Sequence, residues 1–288
     1  MAVNAPKKRI ALPWPVLALL AILGALAAFL LLRPDLREDG LVPVDDGSGT
    51  IWIEPVKNLP ASTLKGSQFV RRGAGIDYTG RDFTASRGVD VSEWQKDIRW
   101  DEVAAGGMDF AVIRCGFRRY GSGALETDPL FETNYASAGS AGLRRGVYFF
   151  SQAISPEEAR EEAEYVLGLL NGRAPELPVF YDWETVTAAD GRTNGLDGAT
   201  VTACAAAFCE TIESAGYRAG LYFNLQMGYH TYDLAQFADA VLWLGEPGTH
   251  PTFYYQTALW QYDHHGTVPG IDTEADCNLL FEAVKPAK

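Results

Sequence analysis

The sequence predicts an α/β fold in which a mainly parallel β-sheet closes into a barrel, preceded by an N-terminal transmembrane helix. Three features of its 288 residues indicate this fold. Short apolar segments alternate five times with helical patterns, as in βα units that build a parallel sheet. Three further apolar segments follow with little helix between them, and the chain begins with a long uncharged apolar run. Together these features predict one large domain behind a membrane anchor.

The barrel prediction depends on the order of the segments along residues 86–288. The first five predicted strands are GVDVS (88–92), FAVIRCGF (110–117), RGVYFF (145–150), PVFYDWE (178–184) and RAGLYFN (218–224). The helices predicted after the first four strands are WDEVAAGG, LFETNYASAGSAG, SPEEAREEAEYVLGLLNG and ATVTACAAAFCETIESAG. The last three strands are AVLWLGE, ALWQYDHH and ADCNLLF. We therefore expect an irregular TIM-like barrel of five βα units followed by three strands.

The third of these helices has the clearest boundaries. Ser155 is a typical N-cap, Pro156 suits the first helical position, and Glu158 would complete a capping box. The helix is expected to end at Asn171-Gly172. Its many acids, in PEEAREEAE, are expected to form a solvated face.

The uncharged run from Ile10 to Leu32 is long enough to cross a membrane. Its 23 residues would span about 34 Å as a helix, whereas the apolar part of a cleaved signal peptide has about 7–15 residues. Basic residues precede the run at 7–9, so the positive-inside rule places the N-terminus in the cytoplasm. The alternative is cleavage near Ala25-Leu26-Ala27, which would release a secreted form.

This interpretation divides the chain into four parts. They are a cytoplasmic tail (1–9), a transmembrane anchor (10–32), an extracellular stalk with a small hairpin (33–85) and an outer domain (86–288). The outer domain carries 14 Lys and Arg against 29 Asp and Glu, and the whole chain has a net charge of −13. Because nucleic-acid-binding proteins concentrate Lys and Arg, we expect no nucleic-acid partner. We expect a monomer.

The cysteines and histidines form none of the common metal or redox motifs. The four cysteines are widely spaced, and neither CxxC nor HExxH occurs. A zinc ribbon or a thioredoxin-type site is therefore not indicated, and we expect buried structural thiols. We expect no metal and no cofactor, although a cluster of carboxylates could in principle bind Ca²⁺ or Mg²⁺.

The fourth predicted strand, which includes VFYDWET (179–185), carries two carboxylic acids on an otherwise apolar segment. Because side chains on a strand alternate, Asp182 and Glu184 would point the same way, with backbones about 6.5–7 Å apart. Two like charges this close raise the pKa of at least one acid, and acid–base chemistry uses such a pair with one member protonated and the other ionised. The alternative is that the strand ends at Tyr181 and that both acids are solvated.

Further acids fall at the ends of other predicted strands. Active sites of such barrels lie at the C-terminal ends of the parallel strands. Asp90 lies in the first strand, Asp182 and Glu184 end the fourth, and Asp276 lies in the last. We therefore expect four carboxylates to converge on one mouth of the barrel.

Seven motifs occur in a recognisable order along about residues 86–283. They are GVDVSEWQ, FAVIRCGF, GVYFFSQA, VFYDWE, LYFN, LWL and LWQY…GTVPGIDTEADCNLLF. In this order and spacing they resemble glycoside hydrolase family 25, the lysozyme-type muramidases that cleave peptidoglycan. The resemblance implies that residues 86–288 are a catalytic domain. It also implies an irregular barrel of five βα units plus three strands, and cleavage of the β-1,4 bond between N-acetylmuramic acid and N-acetylglucosamine. It covers neither the anchor nor the stalk.

Carried over by position, the resemblance implies a role for each acid. Glu184 matches the proton donor, Asp182 its carboxylate partner, and Asp90 and Asp276 the two outer acids of the cleft. A glycosidic oxygen leaves well only when protonated, so Glu184 must keep its proton near neutral pH. Asp182 would stabilise the developing oxocarbenium ion, or would hold the substrate's N-acetyl group while that group attacks. Retention and inversion both remain open.

Sugar rings present apolar faces on which aromatic side chains stack. The candidate stacking residues are Tyr148, Tyr222, Trp243, Trp260 and Tyr262, and the candidate hydrogen-bonding residues are Asn224 and Gln261. For each aromatic residue the alternative is a place in the barrel core. Arg114 is expected to hold an acid in place, and His264 and His265 are expected to be exposed to solvent.

Two other functions remain open at this point. The chain could be a non-catalytic glycan-binding or scaffold protein at the membrane, or a hydrolase of another polysaccharide, since a fold does not set the substrate. The presence of all four acids favours an enzyme. The expected partners are therefore peptidoglycan glycan strands and, through residues 10–32, the membrane.

Overall fold

The structure, a computed structural model, describes residues 40–284. The predicted cytoplasmic tail and transmembrane anchor lie outside the described residues. Within residues 40–284, no helix is both long enough and apolar enough to cross a bilayer.

The described residues form strands and helices in an alternating order. The strands, β1 to β13, are Val42–Asp45, Thr50–Ile53, Phe69–Arg72, Gly75–Tyr78, Phe83–Val91, Phe110–Arg118, Leu125–Thr127, Arg144–Phe150, Val179–Asp182, Ala219–Asn224, Val241–Gly245, Leu259–Gly266 and Ala275–Ala283. The α-helices, α1 to α5, are Trp100–Ala105, Phe131–Ser140, Pro156–Leu170, Gly198–Ser214 and Leu225–His230.

Eight of the strands close into a barrel. Their order is β5, β6, β8, β9, β10, β11, β12 and β13, and β13 pairs again with β5. The first seven barrel strands in this order are parallel to one another. The eighth, β13, is antiparallel to both of its neighbours, β12 and β5. This confirms the predicted barrel of five βα units followed by three strands. The short β7, which extends β6 in the antiparallel direction, is not predicted by the sequence.

Alternation of side chains along each strand gives the barrel a packed interior. The buried apolar cluster inside consists of Phe110, Val112, Leu177, Phe180, Tyr222, Trp243, Leu259 and Leu280. Trp243 lies at its centre, with ring centroids 5.0 Å from Phe180 and 4.9 Å from Tyr222. Gly88 lies directly against the ring of Phe110, so a side chain at this position would collide with it. The apolar cluster fills the barrel and leaves only its mouth for polar groups.

The helix α3 has nearly the predicted boundaries. Ser155 is the N-cap and accepts a hydrogen bond from Glu158 N at 3.4 Å, with Pro156 at the first position. The Glu158 carboxylate does not return to the N-cap amide as a full capping box would require; it accepts from Ile154 N at 3.0 Å. The helix ends where Asn171 adopts a left-handed conformation, as predicted.

Residues 56–82, which the sequence analysis assigns to the stalk, belong to the same compact unit as the barrel. Here β3 and β4 form a hairpin whose Phe69 contacts Trp260 and Phe281, with ring centroids 5.4 and 6.0 Å apart. Ile76 of the hairpin is fully buried. The segment folds onto the outside of the barrel because its apolar side chains cover these aromatic rings.

The strands β1 and β2 form a separate two-stranded sheet where the sequence predicts a small hairpin. Residues 40–44 and 50–55 belong to a second, small compact unit. All four cysteines are free and buried, which confirms the interpretation as structural thiols.

Candidate active site

Four carboxylic acids line one cavity at the mouth of the barrel. Asp90 lies near the end of β5, Asp182 ends β9, Glu184 follows β9, and Asp276 lies near the start of the antiparallel β13. The cavity has a volume of about 350 Å³, and all four acids line it. The fold thus brings together acids that are far apart in the sequence, at the end of the barrel where function is expected.

The strand β9 is shorter than the predicted strand 178–184. It ends at Asp182, and Trp183 and Glu184 lie in the loop that follows. The strand stops here because Asp182 is the last residue that pairs with both β8 and β10. Glu184 therefore reaches the cavity from a loop and not from a strand position. Asp182 is buried and Glu184 half-buried, so the two acids are not a solvated pair.

Asp90 is held by two amide donors, one from β13 and one from β12. Its Oδ2 accepts hydrogen bonds from Asn278 Nδ2 at 2.7 Å and from Gln261 Nε2 at 2.9 Å. Burial raises the pKa of Asp90, and these hydrogen bonds oppose the rise, leaving the pKa at about 6. Two donors on one oxygen stabilise the ionised form.

The two amides are oriented in turn by groups behind them. Trp243 Nε1 donates to Asn278 Oδ1 at 2.9 Å, which turns the Asn278 amino group towards Asp90. Tyr222 OH donates to Gln261 Oε1 at 2.8 Å, and His264 Nε2 lies 2.9 Å from the same oxygen. These contacts fix both amides with their donors on the carboxylate.

Asp276 is the register partner of Asp90 in the antiparallel pair of β13 and β5. Burial raises the pKa of Asp276 to about 9, and the charge of Asp90 adds to the rise. The two carboxyls share a hydrogen bond. The pair therefore keeps one proton over a broad pH range, with the charge on Asp90.

Asp182 is a buried acid of this cavity, and no protein donor among residues 40–284 binds its carboxyl group. Its Oδ1 has no hydrogen-bond partner among the described residues. Burial raises the pKa of Asp182 well above its ordinary value, and the charges of Glu184 and Asp90 raise it further. An unpartnered buried carboxyl oxygen is costly in a folded protein, and its place at the cavity suggests that a ligand supplies the partner.

Burial is the main cause of the raised pKa of Glu184, and the charge of Asp276 adds to it. Tyr120 and Tyr222 are close enough to Glu184 for its charge to raise their pKa values too. Arg114 and the exposed His264, which both line the same cavity, are the nearby groups that can carry positive charge. Burial lowers the pKa of His264, which favours its neutral form.

Most of the predicted sugar-binding residues lie at the cavity. Tyr148, Tyr222, Trp243 and Gln261 line it. Tyr262 does not, because it follows Gln261 in β12 and faces the outside of the barrel, where its ring packs against Trp260. Both rings are buried beside the hairpin, so Trp260 also has no place at the cavity.

Asn224 is likewise absent from the cavity lining. Its side chain caps α5, with Oδ1 accepting from Met227 N at 3.0 Å. His264 and His265 are both exposed, as predicted, and His264 also lines the cavity. Arg114 donates to Asp128 at 2.8 Å and to Glu93 at 2.9 Å, which confirms that it holds acids in place.

Several cavity residues are not singled out by the sequence analysis. They are Ser92, Trp94, Gln95 and Phe150, with Asn278 behind them. The first four follow the C-terminal ends of β5 and β8 or end them, which is a signal that could have found them. Asn278 lies two residues after Asp276 and therefore on the same face of β13.

A second cavity of about 610 Å³ adjoins the first. Trp94, Arg114 and Phe150 line both cavities, and Tyr120 and Asp190 are among the further residues of the second. Trp94 is 70% exposed, so one face of its indole is open to a ligand. The two cavities together form a cleft with aromatic walls and acids at one end.

Among residues 40–284, no three His, Cys, Asp or Glu side chains are arranged to hold a metal ion. The chemistry available in the cleft is that of carboxyl groups with divergent proton affinities. Such a set can donate a proton to a leaving group and stabilise positive charge.

Comparison with known proteins gives a family match. The family model described as glycosyl hydrolases family 25 matches residues 89–271. Lysozyme M1 of Streptomyces globisporus is 25% identical over 207 residues, covering 68% of this chain and 68% of that protein. The autolytic lysozyme of Clostridium acetobutylicum is 23% identical over 199 residues, covering 69% of this chain and 56% of that protein.

Solved structures agree with the family match. A family 25 glycosyl hydrolase from Bacillus anthracis has 25% identity and a TM-score of 0.57, covering 68% of this chain and 88% of that one. The modular autolysin LytC of Streptococcus pneumoniae, at 15% identity, shares the fold with a TM-score of 0.60 over 86% of this chain and 62% of that one. The family match spans more than half of the chain and includes three of the four cavity acids, Asp90, Asp182 and Glu184, whereas Asp276 lies beyond it. The resemblance seen in the sequence is thereby confirmed, and the protein belongs to glycoside hydrolase family 25.

Proposed function

We propose that this chain is an N-acetylmuramidase that hydrolyses the β-1,4 bond between N-acetylmuramic acid and N-acetylglucosamine in peptidoglycan. The observation that carries the proposal is the convergence of Asp90, Asp182, Glu184 and Asp276 on one cavity. Membership of family 25 supports it, as do relatives named as lysozymes in Streptomyces globisporus and Clostridium acetobutylicum.

Glu184 is the general acid in this proposal. It stands at the cavity on a loop, and burial raises its pKa, so it can keep a proton near neutral pH. The proton passes to the glycosidic oxygen as the bond to the anomeric carbon breaks, because an unprotonated alkoxide is a poor leaving group.

Asp182 is the carboxylate partner of Glu184. Its Oδ1, which has no hydrogen-bond partner among the described residues, could serve the reaction in two ways. As a carboxylate it can stabilise positive charge on the sugar ring, or it can accept the N–H of the substrate's acetamido group while the acetamido oxygen attacks. Its ionisation is disfavoured in the free enzyme by burial and by its neighbours, so binding of a cationic transition state would be the event that favours the charge.

Aromatic residues give the cleft its affinity for sugar. Tyr222 and Trp243 belong to the buried barrel core and have no free face for a sugar. The partly exposed Tyr148 and Phe150 line the acid cavity, and the exposed Trp94 lies where the two cavities meet. Stacking of apolar sugar faces on these rings supplies contact without requiring charge complementarity. This suits a domain whose net charge is strongly negative.

The proposal places this activity outside the cell membrane. The uncharged run at 10–32 would anchor the chain with its N-terminus in the cytoplasm and the barrel outside. The membrane would then keep the enzyme close to the wall that it cleaves.

The test is incubation of residues 40–288 with purified peptidoglycan, followed by identification of the new reducing-end sugar. An N-acetylmuramidase exposes N-acetylmuramic acid, whereas N-acetylglucosamine at the new ends would contradict the proposal. Binding without new reducing ends would indicate a glycan-binding protein. Faster release from chitin than from peptidoglycan would indicate another polysaccharide as substrate.

A further inference from the structure

The loop that carries Glu184, residues 183–197 between β9 and α4, is fastened to the start of α3. Arg192 forms a bidentate ion pair with Glu158, with Nη1 2.9 Å from Oε2 and Nη2 2.8 Å from Oε1. The two side chains are only 18% and 23% exposed. The next residue, Thr193, is buried and donates to Gln152 Oε1 at 3.2 Å. The loop is therefore tied to the barrel at two adjacent residues.

Glu158 is itself a fixed point. Its main-chain oxygen accepts from Arg118 Nη2 at 2.8 Å, and Arg118 is buried at the end of β6. Its carboxylate also accepts from Ile154 N at 3.0 Å. Because both its backbone and its carboxylate are held by other residues, the position of Glu158 does not depend on the loop. The ion pair therefore fixes Arg192 relative to α3.

The fully buried Glu162 connects Arg118 to the ends of β8 and β9. Its Oε1 accepts from Arg118 Nε at 2.7 Å, and its Oε2 lies 2.6 Å from Ser151 Oγ. Ser151 Oγ is also 2.9 Å from the hydroxyl of Tyr181, the residue before Asp182. The prediction of a solvated acidic face on α3 is therefore wrong for Glu158 and Glu162, because basic side chains from other elements pair with both.

The early part of the loop has little support of its own. Residues 183–188 belong to no strand or helix. Short turns follow, in which Gly191 N donates to Ala188 O and Asn194 N donates to Gly191 O. Glu184 lines the first cavity and Asp190 the second, so the loop forms a wall of both.

We propose that Arg192 and Glu158 are positioning residues for Glu184: their ion pair fixes the 183–197 loop so that the Glu184 carboxyl stays within reach of the leaving oxygen. This inference rests on the proposed function, in which Glu184 is the general acid. Misplacement of a reacting group by about 1 Å can cost about 10²-fold in rate. An ion pair that served stability alone would change the unfolding free energy and leave turnover by the folded enzyme unchanged.

The test compares the full-length chain with Arg192→Ala, Arg192→Lys and Glu158→Gln on two substrates. One is peptidoglycan, whose leaving sugar must be protonated. The other is a 4-nitrophenyl β-glycoside of a muramic acid-terminated glycan, whose leaving group departs without a general acid. We expect Arg192→Ala to lower kcat on peptidoglycan about 10- to 100-fold with little change in KM, and kcat on the aryl glycoside less than threefold. Arg192→Lys keeps the charge and should recover part of the loss.

The pH dependence on peptidoglycan is a second, independent readout. A released loop admits water to Glu184, and better solvation lowers the pKa of a buried carboxyl. The basic limb of the kcat profile should therefore move to lower pH in Arg192→Ala. Glu158→Gln, which can still accept from Ile154 N, should show the same shift. The double variant should be no worse than either single variant, since both remove one ion pair.

The same helix offers a matched control. Arg173, just after the C-terminal end of α3, makes a bidentate ion pair with Glu132, with distances of 2.8 and 2.7 Å, at the end of the barrel remote from the acids. Arg173→Ala should leave kcat on both substrates and the pH profile unchanged.

The outcomes separate this inference from the proposed function. Suppose that Glu184→Gln loses much more kcat on peptidoglycan than on the aryl glycoside and that Arg192→Ala does not. Glu184 is then the general acid, and the positioning role of Arg192 is excluded. If Glu184→Gln loses no more on peptidoglycan than on the aryl glycoside, the proposed function itself fails. Equal losses on both substrates in Arg192→Ala, with an unmoved basic limb, would also overturn the inference.

Discussion

Asp90 and Asp276 face each other across the antiparallel strands β5 and β13, but only Asp90 receives hydrogen bonds from neighbouring amides. Because of this asymmetry, Asp90 loses its proton at lower pH than Asp276 does. The pKa of Asp90 is about 6 and that of Asp276 about 9, with burial as the main cause of both rises. Above pH 6 the pair therefore carries its charge on Asp90, in the same cavity as Asp182 and Glu184.

The first prediction concerns the donors that stabilise this charge. Asn278→Leu keeps the volume of the buried side chain but removes the donor to Asp90. The pKa of Asp90 should rise above about 6, because the ionised form loses a short hydrogen bond. Titration of the carboxyl ¹³C resonance by NMR measures it. Cys277→Ala, on the opposite face of β13, should leave the pKa unchanged, and an unchanged value in Asn278→Leu would contradict the explanation.

The second prediction concerns the pH–rate profile. Asp276, with a pKa of about 9, becomes charged only in alkaline solution, and that charge raises the pKa of Glu184. Asp276→Asn removes this charge. Without it, Glu184 should lose its proton at lower pH, so the basic limb of kcat/KM on peptidoglycan should move to lower pH. A limb that stays in place or moves to higher pH would show that Asp276 does not act on the general acid.

The sequence predicts the barrel because alternating strands and helices are a local pattern. It also predicts the meeting of the acids, since the C-terminal ends of parallel strands share one mouth. It does not predict the pairing of Glu158 or the burial of Glu162, because their partners Arg192 and Arg118 come from distant segments. A helix with many acids has the same local pattern whether it faces water or arginine.

Other differences have equally physical causes. Gln261 and Tyr262 cannot both face the cavity from one strand, since neighbouring side chains point to opposite faces. Asn224 follows the pattern of a strand but its amide is used by the helix that begins after it. The hairpin of β3 and β4 contributes little periodicity of its own, and its place beside the barrel depends on covering Trp260, which no local pattern reveals.

The third prediction is a loss of stability. Glu162→Gln removes the buried charged partner of Arg118, which should lower the free energy of unfolding by about 3–5 kcal/mol. Urea denaturation of residues 40–288 measures the change. Glu161→Gln is a matched control on the same turn of α3, because Glu161 also contacts Arg118 but is 61% exposed; it should cost about 0–1 kcal/mol. Equal losses in the two variants would argue against a buried ion pair.

The fourth prediction concerns the N-terminal run. The 23 uncharged residues from Ile10 to Leu32 should keep the protein in the membrane fraction of cells, since their length matches the hydrocarbon core. Cell fractionation and N-terminal sequencing of the recovered protein test this. Recovery mainly in the soluble fraction, with a first residue near Ala28, would show instead that the run is cleaved and the enzyme secreted.

The last prediction concerns the proton donor. Glu184→Gln keeps the size of the side chain and a hydrogen-bond donor, but an amide cannot release a proton to the leaving oxygen. General acid catalysis contributes about 10²–10⁴-fold, so kcat on peptidoglycan should fall by at least about 10²-fold while glycan binding persists. Turnover measured by new reducing ends, and binding measured by sedimentation with insoluble peptidoglycan, give the two values. Glu274→Gln is the control: this acid is 70% exposed, pairs with His265 near the mouth and touches neither cavity, so its loss should leave turnover within about twofold. A Glu184→Gln protein that retained more than about a tenth of the wild-type rate would place the general acid elsewhere among the four carboxyls, and Asp276, whose pKa of about 9 keeps it protonated at neutral pH, would be the next residue to test.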